Sequence, residues 1–267
     1  MPASPAARTT LLTGEDGDIE VFDIGDGDDI LICAAGNGRP AAQFDEAAVR
    51  LAESGLRVVT YNYRGIGRST GSLEGLTLHD FAADAWRIAD SFEGATVHLL
   101  GKAFGNRVMR TASSDRPDRV ATITLLAAGG EIPPSSEVQT KFRRYFDPSI
   151  SKDEWTRLHA EVNYAPANAH LAAAAADLGT FPLVAGAQAE ASGRTPLDQW
   201  SHGGTAPMLV MVGLDDVVAL PENGLRLAEA RPDTTLIGLS NCGHSMLDEQ
   251  PDTIVRLITR FVRERGL

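Results

Sequence analysis

TVHLLGKAFGNRV, residues 96–108, is the stretch that decides the fold. Its first five residues form a short apolar run of the kind that sits in a parallel sheet buried on both faces. Gly101 and Gly105 interrupt that run, and Val108, Met109 and Ala112 then return at helical spacing. Strand, glycine turn and helix therefore follow one another directly. Upstream the same unit appears in DILICAA (29–35), followed by Phe44, Ala48, Leu51 and Ala52 on one helix face with Gly55 as the stop. It recurs in LRVVTY (56–61), after which a loop rich in Arg, Gly and Ser leads to a helix. There Thr77 is the expected N-cap, with Asp80 three residues on, and Phe81, Ala85, Ile88, Ala89 and Phe92 form the apolar face. Downstream, VATITLLAA (120–128) ends at Gly129 and Gly130.

Four βα alternations imply a doubly wound, mostly parallel α/β sheet with right-handed crossovers. The alternation stops after residue 130. Residues 131–204 carry Pro133, Pro134, Pro148, Pro166, Pro182 and Pro196 with helical stretches and few strand signals, so a helical insertion is expected there. MLVMV (208–212), a helix around 225–230, TTLIGL (234–239) and a last helix with Ile254, Leu257, Ile258, Phe261 and Val262 then complete the sheet. Gly-Asp turns within 11–24 predict an antiparallel hairpin at its edge. The expectation is an eight-stranded core of residues 1–130 and 205–267, with 131–204 as a helical lid.

A chain of 267 residues with 43% hydrophobic and 22% charged content is long enough for one well-cored domain. The 24 Lys+Arg against 36 Asp+Glu give a net charge of -12, a field that repels phosphate backbones and acidic membrane surfaces. Neither nucleic acid nor a membrane is an expected partner, and a homodimer is left open. The opening MPASPAARTT lacks a secretory apolar stretch, and no run approaches the roughly 20 apolar residues of a membrane span, so a cytoplasmic location is expected. Cys33 and Cys242 have no metal-like or CxxC spacing and are expected to be reduced. With no HExxH, Walker or dinucleotide pattern, no metal and no cofactor is expected.

Three sites lie where an open α/β sheet keeps its chemistry, beyond the carboxyl ends of strands. Gly101-Lys102-Ala103-Phe104-Gly105 occupies the strand-to-helix junction of a G-x-S-x-G nucleophile elbow, with Ala103 in the middle position. Gly213-Leu214-Asp215-Asp216 ends MLVMV; Asp216 is the chosen carboxylate and Asp215 its competitor, while a plain turn or cap role is the alternative. Asn241-Cys242-Gly243-His244 follows TTLIGL. His244 completes the order elbow, acid, histidine; His79, His98, His159, His170 and His202 are read as structural or solvated.

These segments together resemble the α/β-hydrolase fold superfamily over essentially the whole chain. The resemblance is carried by GNG (36–38), YNYRGIGRSTG (61–71), GKAFGNRV (101–108), GLDDVVALPENG (213–224) and CGHSMLDEQP (242–251), and the GKAFGNR string with LLAAGG is similar to a bacterial branch. The resemblance implies His244 as base and Asp216 as its orienter, with oxyanion donors from the backbone N–H groups of Phe104 and Asn37. It also puts Ala103 where the nucleophilic serine belongs. Only the hydroxyl is lost, since the donors are backbone.

Three accounts of Ala103 stay open. One is a serine-to-alanine change made to trap substrate in an esterase, lactonase or C–C bond hydrolase. In another, alanine is native and the His-Asp pair acts as a general base without a covalent intermediate. The last is a binding pocket without catalysis. Lys102 is either an anion contact or a solvated or paired lysine. The insertion is rich in aromatic residues, and Phe142, Tyr145, Phe146, Trp155 and Trp200 are the expected pocket lining for a small hydrophobic carbonyl compound. Arg143 and Arg144 are either acid contacts or hydrated lid residues.

Overall fold

The apolar runs pair as a single sheet of eight strands in the order β1-β2-β4-β3-β5-β6-β7-β8. The computed structural model describes residues 7–175 and 178–265, so most of the opening stretch read for a leader lies outside the described residues. In chain order the core elements are β1 (Arg8–Leu12), β2 (Ile19–Ile24), β3 (Asp29–Ala34), α1 (Asp45–Glu53), β4 (Arg57–Tyr61), α2 (Leu78–Asp90), β5 (Thr96–Lys102), α3 (Phe104–Asp115) and β6 (Val120–Leu126). Among the described residues, five α-helices then follow without a strand: α4 (Ser136–Tyr145), α5 (Lys152–Asn163), α6 (Ala172–Ala175), α7 (Pro182–Arg194) and α8 (Leu197–Trp200). The sheet resumes with β7 (Met208–Gly213), α9 (Pro221–Ala230) and β8 (Thr234–Leu239), and the chain closes with α10 (Met246–Glu249) and α11 (Pro251–Glu264).

Strands β3 to β8 are mutually parallel where they pair, and the β1–β2 hairpin adds an antiparallel edge through β2 and β4. The central strands are sealed on both faces, with Ile30, Ile32, Leu100, Ile123, Leu125 and Val210 fully buried, as their near-continuous apolar runs require. Between them, α2 packs on α3 and α1 on α11. Helix α2 starts as expected: the Thr77 N–H donates to Asp80 Oδ2 at 2.7 Å, supplying an acceptor for a terminal N–H. Among the described residues no helix is long and apolar enough to cross a membrane.

Several boundaries differ from the sequence expectation; β5, expected to end at Leu100, runs on through Gly101 to Lys102. The strand expected over 120–128 stops at Leu126 because Ala127 adopts a φ of 51°, which turns the chain out of the sheet toward the carboxyl edge. The hairpin begins earlier than residue 11, since β1 starts at Arg8 with an exposed face that gives no apolar alternation to detect.

Candidate active site

Ala103 stands between β5 and α3 with φ 50° and ψ −111°, a backbone state that L side chains rarely adopt. The two flanking glycines make that turn sterically possible. A Cβ at Gly105 would collide with the Ala34 carbonyl oxygen of β3, and one at Gly101 would lie 2.5 Å from the Asn106 nitrogen. The turn is pinned by the Ala103 N–H donating to Leu126 O at 3.0 Å and by Asn106 Nδ2 donating to Ala127 O at 3.2 Å. The sequence thus builds a sharp elbow, with a methyl group at its apex.

Asp216 and His244 meet above this edge. Asp216 Oδ2 accepts from His244 Nδ1 at 2.9 Å, while its Oδ1 accepts the N–H groups of Val218 and Ala219, each at 2.8 Å. A buried carboxylate that accepts three hydrogen bonds is fixed in orientation. Because Asp216 only accepts, the neutral imidazole carries its proton on Nδ1 and keeps the Nε2 lone pair. Asp215 is exposed and takes the Cys242 N–H at 3.3 Å, so the competing carboxylate faces away from His244.

Ala103 and His244 line one cavity of about 380 Å³, together with Asn37 and Phe104. Phe104 is the first residue of α3, so its N–H has no acceptor within the helix. Asn37 lies in the loop after β3, which is tied down from both sides: Gly36 N–H donates to Gln43 Oε1 at 2.8 Å and Gly38 N–H to Gln188 Oε1 at 2.7 Å. The roof comes from the helical segment, with Phe142, Tyr145 and Phe146 of α4 and its C-terminal turn among the lining.

Two expected lining residues lie elsewhere. Trp155 sits behind the wall, its ring 4.5 Å from that of His159 and 5.0 Å from that of Tyr145. Trp200 is buried under the Arg110 guanidinium, 4.5 Å from the ring centroid, where it anchors the end of the helical segment to α3. Arg144 is exposed and paired with Glu154 at 3.0 Å, whereas Arg143 reaches the cavity rim. Cys33 and Cys242 are free and buried, and burial raises both thiols, Cys242 to about 12, so neither is a poised nucleophile.

Several lining side chains went unselected in the sequence, among them Arg39, Gln43, His159 and Asn163. Arg39 directly follows the GNG loop, which placed it at the strand edge. His159 and Asn163 are one helical turn apart on α5, a spacing that ordinary core helices also show.

A model of the alpha/beta hydrolase fold matches residues 29–149. A relative from Variovorax paradoxus (strain S110), named "Putative carbamate hydrolase RutD", is 30% identical over 85% of this chain and 88% of its own length. The rhodomycin D methylesterase DnrP of Streptomyces peucetius is 25% identical over 89% of this chain and 92% of its own length. Among solved structures, the esterase RhEst1 from Rhodococcus sp. ECU1013 superposes with a TM-score of 0.81 at 20% identity, covering 98% of this chain and all of that one.

Proposed function

This chain belongs to the α/β-hydrolase fold family, and we propose that it acts on a small carbonyl compound of the ester, lactone or cleavable C–C type through His244 as general base. The observation that carries the proposal is the Asp216–His244 pair at 2.9 Å on the wall of the cavity that holds the elbow. An intact, buried dyad with its Nε2 lone pair free is the part of the machinery that does not need a serine. The 380 Å³ cavity falls in the range of small-molecule sites.

In this reading the carbonyl oxygen sits against the Phe104 and Asn37 N–H groups, and residues 131–204 serve as a lid that keeps bulk water out. His244 Nε2 removes a proton from a bound water as the water oxygen adds to the carbonyl carbon. The tetrahedral oxyanion rests on the two amides. When it collapses, His244 returns the proton to the leaving atom, Asp216 stays ionised throughout, and no covalent enzyme intermediate forms. Asp216 stabilises the imidazolium that exists between the two transfers. General-base and oxyanion contributions of about 10² to 10⁴ and about 10² to 10³ respectively leave room for real, though modest, turnover without a nucleophile.

The printed names of the relatives, a carbamate hydrolase and a methylesterase, agree with carbonyl substrates of this kind. A second reading, ligand binding without turnover, is favoured by the missing hydroxyl at Ala103. Turnover of p-nitrophenyl esters of several chain lengths by the chain, by Ala103→Ser and by His244→Ala separates the two. The base reading requires ester turnover that disappears with His244→Ala, and rapid hydrolysis in Ala103→Ser. Inert protein in all three forms leaves binding alone.

A further inference from the structure

The acidic chain, with its net charge of -12, keeps two buried cations on the wall of this cavity, and among the described residues neither has a carboxylate in ion-pair contact. Lys102, the residue before the elbow apex, is 3% exposed and Arg39, in the loop after β3, is 6% exposed. Among the described residues the Arg39 guanidinium donates to neutral acceptors, Tyr145 OH at 3.2 Å, Gly179 O at 2.9 Å and Ala175 O at 3.4 Å, and its Nε is buried without a described partner. The Lys102 side chain makes no hydrogen bond or ion pair with any described residue. The acids whose fields reach it are engaged elsewhere: Asp216 with His244, Asp248 with the Tyr164 hydroxyl at 2.7 Å, and Glu249 with the N–H groups of Gly243 and Ala165 at 2.9 Å each.

His159 adds a neutral donor beside them. Its Nδ1 accepts from Asn163 Nδ2 at 2.9 Å, which places the ring proton on Nε2, and Nε2 is buried without a partner. Burial and the nearby charges of Arg39, Lys102 and His244 lower its pKa to about 2, so it adds no charge of its own near neutral pH. The wall therefore offers donors and positive charge with no carboxylate among its described lining residues to meet them. Desolvating a cation without a partner is costly, and natural proteins keep such groups where a ligand completes them.

We propose that Lys102 and Arg39, with His159 beside them, form the subsite for a carboxylate, so that the ligand of this cavity is a carbonyl compound that also carries an acid group. The carbonyl half of that statement rests on the proposed function; the carboxylate half does not. A carboxylate suits the site because it is acceptor-only, planar and compact, and because Phe142 and Phe146 leave apolar room for the body of such a molecule.

Calorimetric titration of the whole chain with 3-phenylpropanoate and with its neutral twin 3-phenylpropanamide tests the subsite without any turnover. The acid is expected to bind at least about tenfold more tightly than the amide. Lys102→Met, an uncharged side chain of similar length that removes the buried charge, is expected to erase that preference, and Lys102→Arg to retain most of it. Equal binding of acid and amide by the unaltered chain, or a preference untouched in Lys102→Met, overturns the proposal. His244→Ala separates the two readings: it is expected to abolish turnover and keep the carboxylate preference, so either can fall alone.

Discussion

Asp216 receives the Nδ1–H of His244 at 2.9 Å with its other oxygen clamped by two backbone N–H groups. The clamp fixes which tautomer the imidazole takes. Asp216→Asn would preserve the shape but present an amide N–H to Nδ1, pushing the ring proton to Nε2 and removing the lone pair from the cavity. In the Ala103→Ser background, ester hydrolysis should fall by about 10² to 10⁴ in kcat with little change in Tm, as loss of the orienting acid does in triads generally. Steady-state kinetics on a p-nitrophenyl ester beside a thermal melt measure both quantities.

Ala103 holds a φ of 50° that its Cβ disfavours, at an order-of-magnitude cost of 1–3 kcal/mol. Ala103→Gly removes that strain and adds about 0.5–1 kcal/mol of unfolded-chain entropy, so a net gain on the order of 1 kcal/mol is expected. Ala103→Val, β-branched at the same backbone state, should lose stability. Urea titration of the three forms gives the order Gly, Ala, Val if the elbow is strained, and places Gly below Ala if it is relaxed.

The order of elements and the site at the strand edge were legible because burial on both faces of a parallel sheet writes itself as uninterrupted apolar runs, and each run ends at a chemically loaded turn. Ala103, Asp216 and His244 were readable for that reason, each lying just past such a run. The cavity wall was not. Trp155 and Trp200 are as aromatic as Phe142 and Phe146, and only the packing of α5 on α4 and of α8 on α3 decides which rings face the cavity and which stand behind it. Arg39 and His159 were missed because their role depends on groups distant in sequence: Arg39 meets Tyr145 across 106 positions, and His159 faces Lys102 and His244 only in the fold.

Gln188 of α7 is fully buried and accepts the Gly38 N–H at 2.7 Å, joining the helical segment to the loop that carries Asn37. Gln188→Leu would leave that N–H without an acceptor in a sealed place. A loss of about 1–3 kcal/mol is expected, together with faster amide exchange along α7 and the 36–39 loop. Hydrogen exchange that stays unchanged in both segments would refute the tether.

Lys102 carries a pH signature set by its burial. Burial lowers its pKa from 10.5 to about 8; Arg39 pushes the same way, and Asp248, Asp216 and Glu249 oppose it, with His159, His244, Tyr145, Arg107 and Arg143 as further titratable or charged groups on this wall. Below pH 8 both folded and unfolded chains hold the proton, and the folded protein bears the full cost of a buried charge. Between pH 8 and 10.5 only the unfolded chain keeps it, so the contribution of Lys102 to stability improves as pH rises across that window. Lys102→Met should therefore be more stable than the unaltered chain at pH 7 by on the order of 3 kcal/mol, the advantage fading toward pH 10.5. Saturating 3-phenylpropanoate should close the same gap at pH 7 from the other side, because a bound carboxylate stabilises the charged form. Chemical denaturation of both proteins at pH 7, 8.5 and 10, with and without the acid, would reject this account if the gap proved independent of pH.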